Sequence, residues 1–185
     1  MKLTAHVRTN EKKRDSKRIR REGSIPAVIY IAGGNSVMVS VDRKEFDALL
    51  RGIPQGRLPT TKFTLMIDGK EKNVLVKDIQ YHPTTYNILH LDFEELHKDT
   101  LVNVNVPVTC IGVLDCIGIK LGGFLRQVIR SVKVRCLPKD IPASFEVNIK
   151  EMGVFQSKRL SDLSIPEGVR PIARMEEVVV VIAKR

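Results

Sequence analysis

Residues 16–30 read Ser16-Lys17-Arg18-Ile19-Arg20-Arg21-Glu22-Gly23-Ser24-Ile25-Pro26-Ala27-Val28-Ile29-Tyr30. The first half is a cationic turn and a half whose one apolar residue is Ile19. The second half is a glycine, a proline and an apolar run, the pattern of a turn feeding a buried strand. Asp15 or Ser16 can cap a short helix over Lys17 to Glu22, and Gly23 stops it. Such a helix is marginal alone in water. It orders when packed or bound, or else it stays a frayed, solvated arm. Arg8, Lys12, Lys13 and Arg14 carry the basic segment further back. Cations joined this closely to a core strand indicate a polyanion-binding surface held in place by the fold.

The neighbouring segments say what that fold is. Ala27–Ile31 and Val37–Val41 are apolar runs around Gly33-Gly34-Asn35, a hairpin signal. Asp42-x-x-Glu45 is a capping box ahead of Phe46, Leu49 and Leu50, which share one helical face before Gly52. Pro54, Gly56 and Pro59 make 53–60 a loop. Lys62–Ile67 and Asn73–Ile79 flank Asp68-Gly69, a second hairpin. After a turn at His82-Pro83, Ile88–Phe93 is a further strand. Alternation there sends Leu89, Leu91 and Phe93 into a core and leaves Ile88, His90 and Asp92 on the other face. That face is a polar binding platform, or else an ordinary solvated one with an incidental His–Asp pair.

A polar stretch, Glu94 to Thr100, reads as a linker. Beyond it Val102, Val104, Val106 and Val108 alternate with Asn103, Asn105, Pro107 and Thr109, a period of two. Gly112, Gly118, Gly122 and Gly123 punctuate a loop. Phe124–Ile129, Val132–Cys136, Phe145–Ile149 and Val178–Ala183 read as strands, and Leu160–Leu163 as one helical turn. There is too little helix for a βαβ fold. The expectation is a mainly β chain with a few short helices (α+β), divided into domains at 1–96 and 97–185.

Charge points to the partner. The chain of 185 residues has a formal net charge of +10, which favours an anionic ligand. Residues 1–21 hold nine Lys or Arg against Glu11 and Asp15, residues 22–97 eight against ten acids, and residues 98–185 fourteen against nine. The dense patch is N-terminal. Cys110, Cys116 and Cys136 form no C-x-x-C pair and read as reduced, mostly buried thiols of a cytosolic protein. No metal site is expected from them, no apolar run is long enough to span a membrane, and no secretory h-region is present.

No motif assembles a catalytic centre. The chain lacks G-x-S-x-G, a P-loop and H-E-x-x-H, and no nucleophile is tied to His90 and Asp92. No enzyme activity, cofactor or small-molecule substrate is expected. RNA binding fits better. Lys and Arg neutralise phosphates, Tyr30 can stack or donate its hydroxyl, and Asp92 can accept from a base amino group, a 2′-hydroxyl or a neighbouring Arg or His. DNA or an acidic protein would satisfy the charge as well.

The string 16–30, together with Val76-Lys77-Asp78-Ile79-Gln80-Tyr81-His82-Pro83 and His90-Leu91-Asp92-Phe93, resembles the bacterial large-subunit ribosomal protein 25 family, the general stress protein Ctc family. Leu121-Gly122-Gly123-Phe124, Cys136-Leu137-Pro138-Lys139-Asp140-Ile141-Pro142, Ser161-Asp162-Leu163 and Ile165-Pro166-Glu167-Gly168-Val169 are similar to its longer, two-domain members. The resemblance implies a six-stranded N-terminal β-barrel that binds 5S ribosomal RNA, and a C-terminal β domain. It implies a cytoplasmic, non-catalytic protein, a monomer within the large subunit, with 5S rRNA and other subunit components as partners. Arg8, Arg20, Arg21, Tyr30, His90 and Asp92 fall on the family's RNA-contact motif, and Lys12 and Lys17 lie in the same segment. The Ctc relationship leaves a second possibility, an accessory protein that joins ribosomes only under stress.

Overall fold

The computed structural model describes residues 1–8, 13–30, 34 and 36–184, with Lys13 described by its backbone alone. Lys12 of the expected surface, and Ile31, Gly33 and Asn35 of the first hairpin, lie outside the described residues. The chain divides into two compact units, Met1–Thr100 and Leu101–Arg185. In order, the first contains β1 (Lys2–Val7), α1 (Lys13–Arg21), β2 (Ser24–Tyr30), β3 (Ser36–Asp42), α2 (Arg43–Gly52), a 3-10 turn at Leu58–Thr60, β4 (Lys62–Ile67), β5 (Lys70–Tyr81) and β6 (Ile88–Glu95).

These strands close into a barrel in the order β1-β3-β2-β6-β5-β4. Closure leaves no long edge exposed, and it needs two parallel pairings, β1 with β4 and β2 with β6. Alternation fills the interior. Leu3, Ala5, Ile25, Ala27, Ile29, Val39, Val41, Phe63, Leu65, Leu91 and Phe93 are each at most 2% exposed. Helix α2 adds Phe46 to this core, tilted against Phe63 with ring centroids 6.5 Å apart. Asp42 caps α2 by accepting from the Glu45 amide at 3.0 Å. The Glu45 carboxylate accepts from the Thr4 amide at 3.2 Å, so the second arm of the expected box ties α2 to β1. The β4–β5 hairpin turns through Asp68 at φ 48° and Gly69 at φ 79°, the two left-handed positions of a type I′ turn.

Strand β6 departs from simple alternation. The β5–β6 ladder slips twice, so that Val76 faces Phe93, Asp78 faces Asp92, Gln80 faces His90 and Tyr81 faces Ile88. Lys77 is the extra residue in one bulge and Leu89 in the other. Ile88 is therefore buried at 6% exposure while Leu89 is only half-buried. This reverses the expected faces of those two residues and leaves Leu91 and Phe93 inside. The strand also runs on to Glu95, into the stretch read as linker. Glu94 is buried there and paired with Lys77 Nζ at 2.6 Å.

The second unit contains β7 (Val102–Ile111), α3 (Ile117–Lys120), β8 (Phe124–Gln127), β9 (Ser131–Cys136), β10 (Phe145–Asn148), β11 (Ser157–Arg159), a 3-10 turn at Leu160–Asp162, β12 (Arg170–Pro171) and β13 (Val178–Ala183). One sheet has the order β10-β7-β9-β12 and the other β11-β13-β8. The period-two valines of β7 are all buried, as are Val132 and Val134 of β9 and Val179, Val180 and Ile182 of β13. The glycine-punctuated loop holds the one-turn helix α3. A Cβ on Gly118 would lie 2.8 Å from Ile182 Cγ2 and 2.9 Å from the Gly153 carbonyl carbon. A Cβ on Gly123 would lie 2.7 Å from the Gly118 carbonyl oxygen, so Gly118 and Gly123 are packing positions as well as turns. Cys116 and Cys136 are buried and Cys110 half-buried, and no disulfide joins them.

Candidate nucleic-acid interface

Helix α1 carries six Lys or Arg against Asp15, with Arg18, Arg20 and Arg21 in its last turn. It starts at Lys13, four residues before the expected start, so Asp15 lies in the first turn, where it complements the helix dipole. The last turn ends at Gly23, whose φ of +85° suits a residue without a Cβ. The Gly23 carbonyl accepts from the Arg43 amide at 3.1 Å, and Arg43 Nη2 donates to Asn87 Oδ1 at 2.5 Å. The exit of α1 is thereby tied to α2 and to the β5–β6 turn. Arg14, Lys17, Arg18 and Arg21 are exposed, while Ile19 and Arg20 are half-buried.

Arg20 joins the helix to the sheet. Its Nε donates to the carbonyl of Leu89 at 3.0 Å. Leu89 is the extra residue of the β6 bulge, and a bulge disrupts the local ladder. The irregularity in β6 thus presents the acceptor that fixes Arg20. Its terminal nitrogens remain a planar fork of donors. Arg8 follows β1, and its amide donates to the Met38 carbonyl at 3.0 Å. Burial, and then repulsion from Arg20, holds the Arg8 guanidinium below its ordinary value. Arg8 Nε is buried with no hydrogen-bond partner among the described residues.

Beside these cations lies the outer face of β2, β6 and β5. Val28 faces Asp92 and Tyr30 faces Glu94 in the parallel β2–β6 register. His90 Nδ1 and Asp92 Oδ1 are 2.7 Å apart, with side chains 22% and 33% exposed. The pair is ordered yet reachable. The Tyr30 hydroxyl is pushed up from its ordinary value by burial first, then by the carboxylates of Glu94, Asp92 and Asp78. It stays a protonated donor at neutral pH.

Arg20 thus reaches β6 beside His90, Asp92 is paired with His90 and acts on Tyr30, Arg8 feels the charge of Arg20, and Lys17 and Arg21 project from the same helix as Arg20. The geometry adds Gln80, exposed and directly opposite His90. Its amide can read a base edge. Strand alternation alone could not place it there, because the register depends on the two bulges. The nearest polar partner of His90 is Asp92, and no group of three or more His, Cys, Asp or Glu suited to a metal ion occurs among the described residues.

The Ribosomal L25p family matches residues 3–93, and the family described as ribosomal protein TL5, C-terminal domain, matches residues 101–185. Similar chains include the large ribosomal subunit proteins bL25 of Chlamydia muridarum, 46% identical, Chlamydia trachomatis serovar L2, 47% identical, and Chlamydia pneumoniae, 45% identical. Each of these comparisons runs over 185 residues and covers the whole of both chains. With a barrel that fits the first family and a β unit that fits the second, the chain belongs to the ribosomal L25p family, in its two-domain form.

Proposed function

We propose that this chain is a structural, non-catalytic constituent of the large ribosomal subunit, and that it binds 5S ribosomal RNA through α1 and the adjoining outer face of β2 and β6. Family membership supports the first part. The convergence of Arg8 and Arg20 beside the Tyr30, His90 and Asp92 face carries the second. Arg20 adds to the positive potential at Arg8, and Arg8 Nε has no hydrogen-bond partner among the described residues. A phosphate supplies both the charge and the acceptor.

The division of roles follows from position. Lys17 and Arg21 on the exposed side of α1 meet phosphates. Arg20, fixed by Leu89, offers its fork to a phosphate or a guanine edge. Tyr30, His90 and Asp92 read the bases or 2′-hydroxyls of an irregular segment. Lys12 belongs to the same proposed set by sequence. The binding region is assigned to residues 1–96, with 97–185 as a separate β domain.

Filter binding tests the reading, with 5S rRNA competed by unrelated RNA and by duplex DNA. Selective displacement by 5S rRNA is expected. Equal competition by all three would replace it with a general polyanion-binding module.

A further inference from the structure

The second unit carries a basic face that the 5S reading does not use. Strand β9 lies between β7 and β12, with Asn103 facing Arg135 and Asn105 facing Lys133 on one side, and Arg170 facing Arg135 on the other. The Ile172 amide donates to the Lys133 carbonyl at 2.9 Å and continues the second row. Directly opposed residues share a face. One row is thus Asn103, Arg135, Arg170 and the next Asn105, Lys133, Ile172, and neither contains an acid. The valines between them point inward and are buried.

Like charges directly opposite one another on neighbouring strands are destabilising. Among the described residues no ion pair neutralises Lys133, Arg135 or Arg170, and all three are exposed. Arg135 Nε donates to Asn103 Oδ1 at 3.2 Å, which holds the guanidinium along the row. At the end of the rows is a groove of about 550 Å³, walled by Leu101, Leu137, Pro171 and Ile172 and rimmed by both arginines. Asp140 is the one acid on that rim.

We infer that this face is a second RNA-binding surface, distinct from the barrel site: Lys133, Arg135 and Arg170 hold consecutive phosphates of an ribosomal RNA strand, and the groove takes a base splayed from it. The inference rests on the chain being a ribosomal constituent, not on the 5S assignment. Three cations across two strands suit a repeating backbone charge. The asparagine amides beside them suit base edges or 2′-hydroxyls. Apolar walls give a nucleobase face its contact.

The test uses full-length chain with two probes: 5S rRNA alone, and large subunits depleted of this protein. A Lys133→Gln, Arg135→Gln, Arg170→Gln variant should bind 5S rRNA as the unaltered chain does. On subunits it should bind on the order of tenfold more weakly, with a log–log salt slope lower by about two to three units. A Lys158→Gln, Arg159→Gln variant, altered on β11, should keep the full slope. Crosslinking to 4-thiouridine-substituted ribosomal RNA should label peptides spanning residues 131–136 or 168–173. Unchanged subunit binding by the triple variant overturns the inference. So does an equal loss in the β11 variant, or crosslinking of this face to protein alone. Failure of 5S binding by the unaltered chain would sink the barrel assignment and leave the subunit arm standing.

Discussion

Replacing Arg20 tests the candidate interface at its joint. Its Nε is occupied by the Leu89 carbonyl at 3.0 Å, so only the terminal nitrogens face a ligand. If they form a fork on one base or phosphate, Arg20→Ala should cost about 1–3 kcal/mol of 5S rRNA affinity, or roughly 5- to 150-fold in Kd. Losing the bond to Leu89 should cost a further amount of barrel stability, about 0.5–1.5 kcal/mol. Urea unfolding of the free protein reads that part separately. Arg20→Lys discriminates the mode of contact. Lysine keeps the charge as a point and gives up the fork. Its salt slope should match that of the unaltered chain while its affinity stays near that of the alanine variant. Electrophoretic mobility shifts with 5S rRNA across a salt series supply both quantities. Full recovery by lysine would reduce the contact to a lone phosphate. Affinity within twofold of the unaltered chain for Arg20→Ala, with the slope unchanged, would refute the placement of Arg20 at the interface.

Three further outcomes follow from the packing and the charges. Phe46 is fully buried against Phe63, so Phe46→Ala should destabilise the first unit by about 3–5 kcal/mol in urea titration; a loss below about 1 kcal/mol would mean that α2 does not close the core. Gly118→Ala places a methyl against Gly153 backbone and Ile182, so it should cost the second unit about 1–3 kcal/mol. Amide exchange should rise there and stay unchanged in the barrel, and an equal rise in both units would contradict the assignment. The raised Tyr30 value means that the folded chain keeps this proton to higher pH than the unfolded chain does. Its contribution is whole below about pH 10 and is lost as pH climbs through the folded value. Tyr30→Phe should therefore flatten the alkaline fall in unfolding free energy, and an equally steep fall in the variant would count against the buried, acid-flanked phenol.

Much of the barrel was legible because its signals are local. Asp68-Gly69 names its turn, Asp42 names its cap, and Phe46 stands on the one apolar face of its helix. The valines of β7 likewise report their own period. The faces of Ile88 and Leu89 were not legible, since a bulge is a relation between two strands and leaves no mark in either alone. The start of α1 was missed for a related reason. Lys13 and Arg14 carry no cap signal, and a cationic run has no periodicity to reveal a helix. The candidate site was legible in composition, with Arg20 and Tyr30 in one string and His90 with Asp92 in another. Their adjacency depends on the parallel β2–β6 pairing, which only closure of the barrel supplies. Gln80 was invisible as a site residue because two register slips decide what it faces. Helix α3 was hidden because glycine, read one residue at a time, signals a turn more strongly than close packing.

The sign of the charge changes across the interface, and that change bears on selectivity. Helix α1 holds six cations, while Tyr30 is surrounded by Asp78, Asp92 and Glu94. A uniformly basic surface attracts any polyanion in many orientations. Here a backbone lying over the outer face of β6 would bring phosphates against carboxylates, and one lying along α1 would not. Glu94 is already paired with Lys77, which leaves Asp78 and Asp92 as the repelling groups. Asp92, steadied by His90, keeps lone pairs free for a donor such as a base amino group or a 2′-hydroxyl. In the proposed complex the helix therefore takes the phosphates and the sheet takes the donor edges. A straight duplex presents phosphates on both sides of each groove and cannot meet both halves at once. An irregular RNA whose bases turn away from its backbone can, so in the proposed complex discrimination would come from Asp78 and Asp92, carboxylates that a purely electrostatic account would count against binding.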